Sequence, residues 1–174
     1  MKLLLLLLLF MHLIGCKQEM PLVKIGNQTW SSTNLEINIF RNGDLIPEAK
    51  TKEEWMKFSS QEKPVWCYYI FDSTKSYLGK FYNYYAVSDD RKLAPIGWHI
   101  PNVYEYFLLI NSIDSLFTLD KLAMKSSLAG GSLKSKSWID RQYWANGWTC
   151  TGDSGFNAIA AGGYTPGLNS TNLF

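Results

Sequence analysis

His99 and Glu105 are the residues whose types and spacing come nearest to acid–base or metal-binding chemistry. A histidine can act as a general base or a metal ligand, and a carboxyl group can act as a general acid. His99 stands between Trp98 and Ile100, and no second histidine or carboxylate cluster accompanies it. We therefore predict a structural histidine that hydrogen-bonds to neighbouring backbone. Glu105 follows Asn102 at the spacing of a helix cap, so neither residue is assigned to catalysis.

Two cysteines fall within the body of the chain, Cys67 and Cys150. An oxidising compartment would permit them to form a disulfide, and a reduced, buried pair is the alternative that the sequence leaves open. They lack the close spacing of a zinc ligand pair. We predict no metal site, no cofactor and no catalytic residue.

An aromatic cluster in a loop-like region is the candidate for ligand recognition. Flat aromatic faces beside amides and carboxylates suit a sugar ring, which stacks through its C–H face and hydrogen-bonds through its hydroxyls. Core packing is the alternative, because large aromatic residues are mostly buried in domains of this size. The candidate glycan contacts are Trp138, Tyr143, Trp144 and Trp148.

The first sixteen residues predict export and lipidation. Lys2 precedes an unbroken leucine run at 3–9, and LIGC at 13–16 resembles a bacterial lipobox. We expect cleavage after Gly15, acylation of Cys16 by chains such as palmitate, and a short tether over 16–21. A membrane-spanning anchor would need about 20 apolar residues, and a plain secretory signal would show an Ala-x-Ala-like site. Lys17 favours the outer membrane of the cell envelope over the inner one.

Residues 22–174 have the size of one domain. The whole chain has 17 basic and 15 acidic residues, which are scattered, so we expect no nucleic-acid partner. It contains 7 Trp, 10 Tyr and 9 Phe, far more than a disordered linker carries, and all but Phe10 follow the leader. The domain should bury a core.

Turn signals predict short strands. Val23 to Ile25 and Gln28 to Trp30 flank Gly26-Asn27, which suits a two-residue hairpin. Another turn is expected at 41–44, a central strand at 65–71, and strand-like pieces near Leu133 and at 155–159.

Three helices are predicted from capping residues and apolar spacing. Thr51 and Glu54 begin a short one that buries Trp55 and Phe58. The clearest begins at Asn102, with Glu105 as its reciprocal cap, and the core face that we expect for it comprises Tyr106, Leu109, Ile110 and Ile113. A further helix over 119–128 should stop at Gly130-Gly131. Together the elements indicate an α+β domain with long loops.

Six segments in one order carry a family resemblance. They are VKIGNQTW at 23–30, RNGD at 41–44, WCYY at 66–69, GKFYNYYAV at 79–87, LAPIGWHIP at 93–101 with Glu105, and SGFNA at 154–158. Together they resemble the Fibrobacter succinogenes major paralogous domain, found in exported proteins and lipoproteins of Bacteroidetes. Relatives usually continue beyond 162–164 into further strands, so the resemblance implies a domain lacking its C-terminal strands.

That resemblance implies a C-type-lectin-like fold and no agreed reaction, and function does not follow from fold. Our first hypothesis is a non-catalytic binding or scaffold module, presented by a membrane-tethered lipoprotein to polysaccharide or to an envelope protein. The alternatives are an enzyme related in fold to formylglycine-generating proteins, which depend on reactive C-terminal cysteines, and an inactive truncated paralogue.

Overall fold

A computed structural model of the chain describes residues 20–116, 118–120, 123–126, 128–137 and 149–162. Cys16 and the predicted signal peptide at 1–15 lie outside these residues, so both stay predictions. Within the described ranges, no helix is long and apolar enough to cross a membrane. The elements, in chain order, are β1 (Leu22–Ile25), β2 (Gln28–Ser31), α1 (Lys52–Ser60), β3 (Trp66–Cys67), two 3-10 turns (Tyr69–Phe71 and Ser73–Leu78), β4 (Phe81–Tyr82), α2 (Tyr84–Val87), α3 (Val103–Ile113), β5 (Thr118–Asp120), β6 (Ala123–Lys125) and α4 (Ala129–Leu133).

In the described residues the strands form three antiparallel pairs, β1–β2, β3–β4 and β5–β6, and Trp66 of β3 also forms an isolated parallel bridge with Glu48. The α+β class predicted from the sequence is confirmed. In the first hairpin Ile25 lies opposite Gln28, so Gly26-Asn27 is the predicted two-residue turn. Gly26 has a φ of +58°, and a Cβ there would lie 2.8 Å from the Cβ of Ser112. Only glycine therefore lets this turn lie against α3.

Helix α1 forms as its capping residues predict. The Thr51 hydroxyl accepts the backbone N–H of Glu54 at 3.2 Å, and the Glu54 carboxylate accepts the N–H of Lys50 at 2.7 Å. Trp55 is buried and Phe58 is half-buried. The helix thus packs one aromatic side onto the core.

The predicted strand at 65–71 is largely wrong. Only Trp66–Cys67 is extended and paired, with Phe81–Tyr82 as its partner. Ile70 and Phe71 take φ values of +47° and +61°, which an extended strand cannot contain. The chain therefore leaves the sheet after two residues and turns into the first 3-10 segment.

The largest buried cluster surrounds Trp66, and we refer to it as the Trp66 core. It consists of Ile37, Phe40, Ile46, Trp66, Ala86 and Leu93. The indole N–H of Trp66 donates to the Ile46 carbonyl at 2.9 Å, and the Lys80 ammonium lies 4.0 Å from the ring centroid. The tryptophan is thus held by a hydrogen bond and a cation–π contact, and it is only 5% exposed.

Asn83 joins the Trp66 core to the short helix α2. Its side-chain oxygen accepts the N–H groups of Val65 at 3.1 Å and Ala86 at 3.0 Å, and its amide donates to the Lys63 carbonyl at 2.8 Å. The residue is buried, so these bonds satisfy groups that water cannot reach.

The helix predicted over 119–128 is wrong. The chain forms the β5–β6 hairpin there, with Asp120 opposite Ala123, and a short helix α4 follows. Gly130 and Gly131 lie inside that helix rather than ending one. A Cβ at Gly131 would lie 2.9 Å from the Thr149 carbonyl oxygen, so glycine permits a close approach of two backbones. A short apolar run does not distinguish a strand from a buried helix.

Candidate functional site

Helix α3 begins with the capping box that its sequence predicts. The Asn102 side chain accepts the Glu105 N–H at 3.0 Å, and the Glu105 carboxylate accepts the Asn102 N–H at 2.8 Å. Leu109 packs inward with 1% exposure, but Tyr106 is 41% exposed. The prediction of Tyr106 as a core residue is therefore only partly right, because its ring lies at the edge of the core.

An open cleft of about 540 Å³ lies beside this helix, and we name it the aromatic cleft after the four rings that line it, those of Trp30, Trp98, Tyr106 and Phe156. Trp30 is central, with its ring centroid 5.3 Å from that of Tyr106 and 5.6 Å from that of Phe156. Trp30, Trp98 and Phe156 are half-buried. Tyr106 and Phe156 therefore support Trp30, and the half-buried rings still present surface to a ligand.

Gln28 fixes the hairpin side of the cleft to the helix side. Its amide donates to the Glu105 carbonyl at 3.1 Å, and its oxygen accepts the Trp30 indole N–H at 3.3 Å. The orientation of the Trp30 ring is thus set by a side chain that is itself bonded to α3.

Arg41 fixes the loop that carries Trp98. Its guanidinium donates to the carbonyls of Ala94 at 2.6 Å, Pro95 at 3.2 Å and Trp98 at 2.5 Å. A planar guanidinium presents several N–H groups in a rigid arrangement, so it can hold three carbonyls at once. The predicted turn at 41–44 forms, and its first residue, Arg41, holds the Trp98 loop in place.

The segment that carries Phe156 is held by hydrogen bonds to the last two residues of α4. The Ser154 hydroxyl donates to the Ser132 carbonyl at 2.8 Å, and the Ala158 N–H donates to the Leu133 carbonyl at 2.8 Å. Gly155 has a φ of +72°, and a Cβ there would lie 3.1 Å from Cγ2 of Val23. The segment thus passes close to β1 and places Phe156 against Trp30.

His99 and Glu105 form a hydrogen-bonded pair at the cleft, with 2.6 Å between His99 Nε2 and Glu105 Oε1. The prediction that His99 bonds to backbone is wrong, because a carboxylate lies within reach across the first turn of α3. The Asn102 N–H, and then His99, hold the pKa of Glu105 below its usual value. The ionised carboxylate only accepts hydrogen bonds, so His99 Nε2 carries the proton.

The other polar groups of the cleft are uncharged. They include the side chains of Gln28, Ser31, Thr33, Asn34 and Asn157. Burial raises the pKa of Tyr106, so its phenol stays neutral and can donate a hydrogen bond. Apolar walls with a few convergent polar groups are typical of small-molecule and glycan sites.

The disulfide that the sequence leaves open is not formed: Cys67 and Cys150 are both free thiols. Cys67 is buried in a cluster with Trp55 and Val65, separate from the cleft. Burial raises the pKa of its thiol to about 12, so this sulfur is a poor nucleophile. Cys150 is half-buried, and neither thiol lines the cleft.

The predicted glycan contacts, Trp138, Tyr143, Trp144 and Trp148, all lie outside the described residues. Among the residues that the structure does describe, no three His, Cys, Asp or Glu side chains are grouped to hold a metal ion. Sequence reasoning did not assign a site to Trp30, Trp98 or Phe156. A signal was present, because 23–30, 93–101 and 154–158 are three of the segments that carry the family resemblance, and all three line the cleft.

A family model matches most of the chain. The model of the Fibrobacter succinogenes major domain matches residues 23–172. Neither the curated proteins nor the solved structures gave a match.

Proposed function

Since the chain belongs to the Fibrobacter succinogenes major domain family, we propose that it is a non-catalytic binding module of the cell envelope that takes polysaccharide into the aromatic cleft. One observation carries the proposal. Trp30, Trp98, Tyr106 and Phe156 come from four separate segments and meet in a single open cleft.

The chemistry of the cleft suits a pyranose ring. A sugar has an apolar C–H face and a rim of hydroxyls, so it needs a flat aromatic surface beside hydrogen-bonding groups. Trp30 and Trp98 supply half-buried indole faces, and Asn34 and Asn157 supply amides that can both donate and accept. A volume of about 540 Å³ lies within the usual range for small-molecule sites, roughly 300–1,000 Å³.

A binding role fits the cleft better than the alternative of an enzyme related to formylglycine-generating proteins. That chemistry needs a reactive thiol, whereas Cys67 lies in the core and Cys150 does not line the cleft. The pair of His99 and Glu105 is the acid–base group there, and its carboxylate is committed to the helix cap.

The cellular location that we propose, at an envelope membrane, is supported by the sequence alone. A lipid on Cys16 would tether the module to an envelope membrane, with the outer membrane favoured by Lys17. We further propose a C-type-lectin-like arrangement, which is supported by short antiparallel strand pairs, two longer helices and long loops. Polysaccharide would then be bound close to the membrane surface.

Glycan binding by the purified full chain tests the proposal. An array of plant and bacterial oligosaccharides should yield a bound class, and Trp98→Ala should reduce affinity at least about tenfold, which corresponds to about 1.4 kcal/mol. Tyr106→Ala and Tyr84→Ala form a matched pair, because Tyr84 is 75% exposed and does not line the cleft. Only the former should weaken binding.

Equal binding by the wild type and by the folded Trp98→Ala variant would place the site elsewhere. Failure of every oligosaccharide to bind, with capture of an envelope protein instead, would favour the scaffold hypothesis.

A further inference from the structure

Glu105 is the one acidic side chain among the residues that line the described cleft, and no lysine or arginine lines it. His99 is the only other ionisable group there apart from the neutral phenol of Tyr106. The described part of the cleft therefore holds one carboxylate, which is hydrogen-bonded to His99 Nε2. Arg41 is nearby in the fold, but its guanidinium is bonded to three main-chain carbonyls of the Trp98 loop.

The charge of Glu105 is fixed in position. One carboxylate oxygen accepts the Asn102 N–H at 2.8 Å, and the other accepts from His99 Nε2 at 2.6 Å. Its main-chain carbonyl also accepts the Gln28 amide at 3.1 Å. With both oxygens engaged, the carboxylate cannot swing away from an approaching anion at low cost.

The N-terminus of α3 does not compensate for this charge. A free helix N-terminus attracts anions through its unpaired N–H groups. Here Asn102 accepts the N–H of Glu105, while the Glu105 carboxylate itself accepts the N–H of Asn102. The Glu105 carboxylate is thus the anion that this helix N-terminus already binds.

On the proposed function, we infer that Glu105 makes the aromatic cleft selective for uncharged saccharides and excludes uronates and other anionic sugars. A carboxylated sugar stacked on Trp30 or Trp98 would bring a second negative charge to the Glu105 side of the cleft. Two negative charges in one cleft repel each other, and dissolved salt weakens that repulsion.

Matched oligosaccharides test the inference. Oligomers of glucose, mannose and galactose are compared, at low ionic strength, with the same oligomers after oxidation of the C6 hydroxymethyl to a carboxylate. The neutral form should bind the full chain about tenfold more tightly. Raising the salt concentration from about 0.01 M to about 1 M should narrow this difference, because repulsion is screened and stacking is not.

The variant Glu105→Gln should remove the preference while retaining the cap, since the amide oxygen can still accept the Asn102 N–H. Glu54→Gln is the matched control, because Glu54 occupies the same position in the first turn of α1 and does not line the cleft. The control should keep the full preference.

Three outcomes overturn the inference. Equal or tighter binding of the carboxylated oligomers by the wild type contradicts it and leaves the proposed function standing. An unchanged preference in Glu105→Gln assigns the selectivity to other groups. Binding of neither form, at any salt concentration, defeats the inference together with the proposed function.

Discussion

The aromatic cleft and the Trp66 core are built from the same residue types, but they leave their tryptophans in different surroundings. Trp66 is 5% exposed, has its indole N–H bonded to main chain, and lies beneath the Lys80 ammonium. Trp30 contacts two rings on its sides and has its N–H bonded to a side chain, Gln28. The contrast shows two ways of holding a tryptophan: Trp66 is enclosed in the core, whereas Trp30 keeps part of its surface open at the cleft, as the proposed binding role requires.

The largest effect on stability is expected in the core. Trp66→Ala should lower the free energy of unfolding by about 3–5 kcal/mol, because it removes a large buried side chain and leaves a cavity. Trp98→Ala, at a half-buried position, should cost about 1 kcal/mol. Urea denaturation of the two variants measures the difference, and equal losses would refute the distinction between the two regions.

Two asparagines that cap helices extend the comparison. Asn83→Ala should cost about 2–3 kcal/mol, since it leaves the buried N–H groups of Val65 and Ala86 without partners. Asn102→Ala, at an exposed position beside the cleft, should cost about 1 kcal/mol, the usual value for a cap. Denaturation curves for both variants provide the test. A larger loss of unfolding free energy in Asn102→Ala than in Asn83→Ala would contradict the placement of Asn83 in the core and of Asn102 at the surface.

A smaller effect is expected from Arg41, whose guanidinium holds the loop that carries Trp98. Arg41→Lys should leave the core intact and weaken glycan binding about threefold to tenfold, because an ammonium cannot hold three carbonyls in fixed geometry. Arg91→Lys is the matched control, since Arg91 pairs with Asp44 and Asp89 and does not line the cleft. Calorimetric titration with a bound oligosaccharide gives the affinities. An equal loss of affinity in both variants would contradict a positioning role for Arg41.

Local and non-local features of the fold differ in how far the sequence predicts them. The Gly26-Asn27 hairpin and the box of Asn102 and Glu105 form as predicted, because each depends on residues within one turn. The cleft depends on Trp30, Trp98 and Phe156, whose contacts join distant segments and leave no local periodicity. The family resemblance includes the three segments that line the cleft, 23–30, 93–101 and 154–158, but it does not show that they meet in space.

The same distinction explains the errors. The spacing of Tyr106 matches a core face, but the side of α3 on which it lies opens onto the cleft. Residues 119–128 were expected to form a helix on local apolar spacing, and pairing of β5 with β6 overrides that preference. A backbone partner is predicted for His99 because no carboxylate cluster stands near it in the sequence, but a single carboxylate, that of Glu105, is enough. One carboxylate serves both contacts.

The smallest effect is expected on the pH dependence of stability. The pKa of Glu105 is lowered in the folded state from its ordinary value of 4.5, so its contribution is present above that pH and is lost as the pH falls through the lower, folded value. Glu105→Gln has no such group. Melting temperatures recorded between about pH 7 and about pH 3 should therefore fall less steeply in the variant than in the wild type. Melting temperatures that fall equally with pH in both proteins would contradict a stabilising, lowered pKa of Glu105.

The central claim is that the aromatic cleft, and not the core, contacts saccharide. The most direct measurement follows the indole N–H resonances of the ¹⁵N-labelled full chain during titration with a neutral oligosaccharide that binds. We predict saturable shifts for Trp30 and Trp98 and none for Trp66. Shifts confined to Trp138, Trp144 and Trp148, with Trp30 and Trp98 unchanged, would contradict the account.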